Sequence, residues 1–280
     1  MGGMGAIDGY AEINGTRLYY ERRGHGPTVL FIHGAALDHR NWAAQVEGLA
    51  DRFDVITYDL RGYGRSAAPT GEFKHYEDAA ALLDHPAIQR AIAVGHSIGG
   101  LYALELALAR PDRVAGLVAL CMSGLSTRPF PPDVIEMFAA VRRAAYERGV
   151  DAAKAVWRAC GWFASARARP DVAAQVDAML ADYTGWYWTH DNPARNLDPP
   201  SGTRLEDVRV PTLIVDGGLD LDYNHANADE LARRIAGATL LRLPDAGHMA
   251  QLEDPDAFAR ALDELAARIA RTHPAHGGAA

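Results

Sequence analysis

Gly95-His96-Ser97-Ile98-Gly99 sets a serine between two glycines, after the apolar run 91–94 and before a helical stretch, Leu101–Arg110. A Gly-x-Ser-x-Gly turn between strand and helix is too tight for bulky neighbours, which explains the glycines. The serine hydroxyl is pushed above the sheet edge, and the N–H groups opening the helix face any negative charge that forms there. The chemistry suggested is nucleophilic attack on a carbonyl carbon.

A serine hydroxyl is a weak nucleophile at neutral pH, so it needs a base, and the base needs an orienting acid. After such a turn the partners are expected downstream, acid first and histidine second, each on a loop that follows a strand. Asp220 follows Ile214–Leu219, and His248 follows Pro244-Asp245-Ala246-Gly247. Asp216 and Asp222 compete with Asp220, although Asp216 still belongs to the strand and Asp222 lies two residues further out. No carboxylate ends the preceding strand at Met122-Ser123-Gly124. The oxyanion formed on attack needs two donors. The expected ones are the N–H of Ile98, directly after the serine, and that of Ala35, in the small-residue loop after Thr28–Ile32. His33 and His96 read as buried structural histidines.

The elements that must position these residues follow from periodicity. Tyr10–Ile13 and Arg17–Glu21 flank Asn14-Gly15, the strongest short hairpin signal. Thr28–Ile32, Phe53–Tyr58, Ala91–Val94, Val114–Cys121, Pro211–Val215 and Ala238–Leu243 are apolar runs of strand length. Helices are expected over Trp42–Leu49, His75–Asp84, the stretch after Ser97, and Pro255–Arg271. This alternation predicts an α/β fold: a mostly parallel twisted sheet flanked by helices. Between about Leu125 and Glu206 the rhythm breaks into alanine-rich helical runs bounded by prolines. The expected organisation is a core of residues 1–124 and 207–280 with an inserted helical cap at 125–206. Asp59-Leu60-Arg61-Gly62-Tyr63-Gly64-Arg65-Ser66 lacks the Gly-Lys-Ser/Thr ending and the three-glycine spacing of phosphate loops. A tight turn held by an Asp–Arg interaction is expected instead.

Composition narrows the function. The 280 residues carry a formal charge of −8 and no long basic run, so neither nucleic acid nor an anionic membrane surface is an expected partner. Met1–Ala6 lacks the basic and apolar regions of a signal peptide, and no stretch is long enough to cross a bilayer, so a soluble cytoplasmic protein is expected. Cys121 and Cys160 read as buried free thiols, no Cys/His spacing suggests a metal, and no cofactor is expected. The tail Thr272–Ala280 reads as disordered. The expected partner is a small-molecule substrate, with monomer and homodimer both open.

Taken together, His33-Gly34, Trp42, the Asp59–Ser66 turn, Gly95–Gly100, Gly217–Asp220 and Gly247-His248 resemble the α/β-hydrolase superfamily over about residues 9–124 and 207–271. The resemblance implies Ser97 as nucleophile, His248 as base, Asp220 as acid, and Ile98 and Ala35 as oxyanion donors. A serine at the elbow is unlike the superfamily's dehalogenases and epoxide hydrolases, which use Asp. Size and turn look like small carboxylesterases and 3-oxoadipate enol-lactonases. The implied reaction is hydrolysis of a carboxylic ester or lactone.

Four of the chain's five tryptophans fall in the expected cap, and Gly185-Trp186-Tyr187-Trp188 is too dense in rings for one inward stripe. Trp186, Trp188, Trp162 and Met122 are therefore expected to line a pocket for an apolar or aromatic substrate. Rival readings use the same constellation. One is a carbon–carbon bond hydrolase, favoured by a pocket arginine such as Arg158 or Arg195; others are a perhydrolase and a slow-turnover small-molecule receptor.

Overall fold

In the computed structural model, residues 7–272 are described. The expectations for Met1–Ala6 and, beyond Thr272, for the C-terminal tail lie outside them. Among the described residues eight strands form one sheet: β1 (Ile7–Ile13), β2 (Thr16–Gly24), β3 (Thr28–Ile32), β4 (Asp54–Tyr58), β5 (Ala91–His96), β6 (Val114–Leu120), β7 (Thr212–Gly217) and β8 (Thr239–Leu243). Their spatial order is β1-β2-β4-β3-β5-β6-β7-β8. β1 and β2 pair antiparallel, as do β2 and β4, and every later pairing is parallel. Asn14 and Gly15 close the first hairpin with φ of 46° and 67°, the left-handed pair that a two-residue turn demands.

Helices cover both faces: α1 (Ala43–Leu49), α2 (His75–Asp84), α3 (Ile98–Ala109), α4 (Pro132–Arg148), α5 (Val150–Ala159), α6 (Ala164–Arg167), α7 (Pro170–Asp182), α8 (Trp186–Thr189), α9 (Asp222–Arg234), α10 (Ala250–Glu253) and α11 (Pro255–Thr272). Among the described residues, the segment from β6 to β7 holds α4–α8 and no strand beyond a single bridge between Ala194 and Phe73. None of the described helices is long and apolar enough to cross a membrane.

The period of two in each strand divides the core. Val29 and Phe31 of β3 join Ile92, Val94, Trp42, Phe258 and Leu262 on one face, beneath α1 and α11. Leu30 and Ile32 join Ala93, Leu101 and Leu104 on the other, beneath α2 and α3. That second cluster continues without a break into Trp157, Trp162, Phe163 and Trp188 of the helical segment. The sheet and the segment above it therefore share one apolar interior.

α3 is apolar nearly all round and buried, with one acidic exception. Glu105 is 1% exposed and accepts the Leu197 N–H at 3.0 Å, tying the end of the helical segment to the helix after Ser97. Burial pushes its acid up to about 7. The turn at Asp59 differs from expectation. Its carboxylate accepts the backbone N–H groups of His39 (2.7 Å) and Arg65 (2.8 Å), while the Arg61 guanidinium pairs with Asp78 at 2.6 Å. Two backbone N–H groups and the His39 ring, whose Nδ1 lies 2.8 Å from Asp59 Oδ1, hold this turn, while Arg61 is drawn to the carboxylate on α2.

The raised Glu105 acid sets a pH signature. The folded chain keeps a proton there that the unfolded chain loses near 4.5, so this residue subtracts stability as pH rises from about 4.5 to about 7. Glu105→Gln keeps the acceptor and removes the titration. The variant should match wild type in Tm at pH 4 and exceed it by several degrees at pH 8. An equal offset at both pH values would contradict this assignment.

Candidate active site

Ser97 links β5 to α3 with φ 57° and ψ −121°, a conformation that costs a side-chain-bearing residue about 1–3 kcal/mol. The surrounding backbone enforces it. Ser97 N–H donates to Leu120 O at 2.9 Å, and its own carbonyl accepts from Gly100 and Ser123 at 3.0 and 3.2 Å. A Cβ on Gly95 would fall on the Gly99 carbonyl, and one on Gly99 on the carbonyls of Ile32 and His33. The glycines are thus dictated by contact of β5, α3 and the loop after β3. Ala36 and Cys121 also have positive φ, at 58° and 45°, so three of the five such non-glycine residues described surround this turn.

The loop after β3 is pinned by His33. Its buried Nε2 accepts the Leu60 N–H at 3.0 Å, so Nδ1 carries the hydrogen and donates to Gly34 O at 2.8 Å. Burial holds this imidazole below its usual range and keeps it neutral, as both bonds require. Ala35 lies in that loop and Ile98 opens α3; both line the cavity beside Ser97.

Asp220 and His248 sit past the ends of β7 and β8. His248 Nδ1 lies 2.7 Å from Asp220 Oδ2, with side chains 5% and 0% exposed. The other Asp220 oxygen accepts the Leu221 N–H at 2.7 Å. His96, beside the serine, donates from Nε2 to the His248 carbonyl at 2.9 Å. Burial holds the His96 imidazole well below the usual range. Glu253 of α10 accepts the Gly247 N–H at 2.9 Å and is also bonded by the Ser165 hydroxyl of α6. Arg169 donates to the carbonyls of Glu253 and Asp245. The histidine loop is therefore fixed from beneath by His96 and from above by the helical segment.

The competing carboxylates are elsewhere. Asp216 is bonded to Arg242 and His225, at 2.9 and 3.0 Å, and Asp222 is exposed at the start of α9. Ser97, Ile98, Ala35 and His248 share a cavity of about 310 Å³. With Nδ1 engaged by Asp220, Nε2 is the nitrogen that His248 has left for it.

The expected pocket residues separate. Trp162 lines the cavity, its Nε1 donating to Asn224 Oδ1 at 3.0 Å and its ring centroid 5.6 Å from that of His248. Trp186, Trp188 and Met122 do not line it. Trp186 stacks on His190, 4.8 Å away and 2° from parallel. Trp188 packs edge-on against Tyr183, and Met122 lies under Gly100 of α3. α8 is one turn long, so its rings point in different directions, and Tyr187 is the one facing the cavity. Its hydroxyl donates to Arg61 O at 2.9 Å and its ring stacks on Tyr63. Phe130, Phe138, Trp157 and Tyr102 also line the cavity; beyond their being aromatic, the first three within the expected cap, nothing in the sequence singles them out. Arg158 is paired with Asp177 and Arg195 with Glu72, and neither lines the cavity, although Ala194 and Asn196 beside Arg195 do.

Among the described residues, two groups of ligand-type atoms have all their members within 4.8 Å of one another: Cys121, Asp220 and His248, and Asp38, His39 and Asp59. Their facing atoms are already engaged. Asp220 and His248 bond each other, and burial raises the Cys121 thiol well above its usual range, away from the thiolate a metal needs. In the second group Asp38 bonds Arg40, and Asp59 meets two backbone N–H groups and the His39 ring.

Residues 29–261 match the model of the alpha/beta hydrolase family, and the chain belongs to that family. The chain is 29% identical over 263 residues to pimeloyl-[acyl-carrier protein] methyl ester esterase from Vibrio cholerae, covering 90% of this chain and 98% of that one. It is 28% identical over 277 residues to the dihydrolipoyllysine-residue acetyltransferase component of the acetoin cleaving system from Cupriavidus necator, covering 89% of this chain but only 66% of that longer protein. Among solved structures, the enol-lactonase from Burkholderia xenovorans superposes with a TM-score of 0.77 at 29% identity, covering 92% of this chain and all of the other.

The packing at Ser97 yields a direct test. Gly99→Ala must separate α3 from the loop after β3, because the atoms in the way are backbone carbonyls. The expected outcome is a fall in Tm of several degrees together with loss of fluorophosphonate labelling at Ser97. A variant with wild-type Tm and labelling would refute the contact argument.

Proposed function

We propose that this protein hydrolyses a carboxylic ester or lactone through an acyl-enzyme on Ser97. The observation that carries the reading is the 2.7 Å contact between Asp220 and His248, at a cavity that also receives the strained Ser97. Relatives that are an ester esterase and an enol-lactonase support the bond type.

In this reading His248 Nε2 takes the Ser97 proton as the oxygen attacks the carbonyl carbon. Asp220 holds Nδ1–H in place and stabilises the imidazolium that results. The N–H groups of Ile98 and Ala35 receive the oxyanion, and preorganised donors of this kind contribute most where water is excluded. His248 then protonates the leaving alcohol. Water repeats the attack with His248 again as base, and the acid departs. Residues 125–206 act as a cap over the core of 1–124 and 207–280, and their rings favour an apolar or aromatic substrate. Among the described residues that line the cavity there is no cationic anchor for a diketone acid, so ester or lactone hydrolysis is preferred to carbon–carbon cleavage.

Ser97→Ala should fold with wild-type Tm and lose at least about 10³-fold in kcat on p-nitrophenyl esters, and a fluorophosphonate should label wild type alone. Asp220→Asn should lower kcat by about 10³–10⁴-fold with little change in KM, because the imidazole loses its tautomer. Undiminished turnover in either variant would place the chemistry on other residues.

A further inference from the structure

The cavity beside Ser97 has aromatic walls, with Phe138, Trp157 and Trp162 from the helical segment and Tyr63 and Tyr102 from the core. Among the described residues lining it there is no Lys, Arg, Asp or Glu. The two imidazoles present are accounted for: His248 is engaged by Asp220, and burial keeps His96 uncharged. The tyrosine hydroxyls stay protonated too, since burial pushes Tyr63, Tyr102 and Tyr187 well above the usual phenol range. The remaining polar groups are neutral: Ser123, whose oxygen accepts from Asn224 at 2.8 Å, and the amides of Asn192 and Asn196.

The nearby guanidinium groups are held elsewhere. Arg61 is buried against Asp78, Arg128 pairs with Glu230, and Arg195 with Glu72. A carboxylate entering this cavity would lose its hydration and meet no cation in exchange. The Asp220 charge behind His248 opposes it further.

We infer that the cavity takes an uncharged ester or lactone with an apolar or aromatic acyl group, and rejects the same molecule bearing a free carboxylate. This rests on the hydrolase reading above and narrows its substrate. It sets the chain apart from an enzyme for a 3-oxoadipate enol-lactone, a substrate that keeps one carboxylate free.

The test compares two acyl groups of nearly equal size, as the p-nitrophenyl esters of 4-carbamoylbenzoic acid and of terephthalic acid. After correction for alkaline hydrolysis rates, kcat/KM should favour the neutral carbamoyl ester by about a hundredfold. Phe138→Arg, with its Tm measured alongside, should shrink that ratio at least about tenfold by supplying the missing cation. Binding is read separately by calorimetry on Ser97→Ala, with the 4-carbamoylbenzoate and terephthalate anions as non-reacting ligands; each carries one carboxylate for the N–H groups opening α3, and they differ only in the far group. A clear preference for the carbamoyl ligand supports the inference even if turnover is lost or proves independent of Ser97, an outcome that would sink only the hydrolase reading. Equal kcat/KM for the two esters, or equal affinity for the two ligands, overturns it.

Discussion

The crowding of backbone where β5 turns into α3 governs this structure. Three segments meet there so closely that Gly95 and Gly99 have room for no carbon beyond Cα, and Ser97 is left with a left-handed φ. An isolated chain would relax such a turn. Here the parallel pairing of β3, β5 and β6 fixes all the segments at once, so the conformational cost at one serine is carried by the cohesion of the whole sheet.

Parallel topology then explains why the polar residues gather. Every strand from β3 onward that ends near Ser97 points the same way, so the loops after β3, β5, β7 and β8 emerge along one edge. Residues far apart in sequence become neighbours without any long excursion of chain. Two buried histidines make the arrangement rigid. Each uses a defined tautomer, His33 to join the loops after β3 and β4, and His96 to hold the backbone at His248. The His33 role needs a neutral ring because Nε2 accepts, and burial lowers both imidazoles.

The fold was legible in the sequence because its signals are local. Each parallel strand is a short apolar run, the first hairpin carries Asn-Gly, and the order of Ser97, Asp220 and His248 along the chain follows the order of the strands. α9 was harder to read. Its buried side carries Asn224 and Asn227, which donate to carbonyls at the end of β6, so no apolar stripe announces it. The cavity wall was the least legible part. Ring density at Trp186–Trp188 was a real signal, but which ring turns inward depends on the single turn of α8 and on its contacts with Tyr63 and His190. The wall is also assembled from residues as distant as Ala35 and Met249, a relation no local pattern encodes.

Glu253 joins parts of the molecule that would otherwise be independent. One of its oxygens serves both the Gly247 amide and the Ser165 hydroxyl, while its other oxygen is buried without a partner. Moving α6 away from the sheet therefore strips a buried carboxyl group of a donor, and the neighbouring Arg169 bonds the same loop. One carboxyl group thus ties α6 to the loop that carries His248.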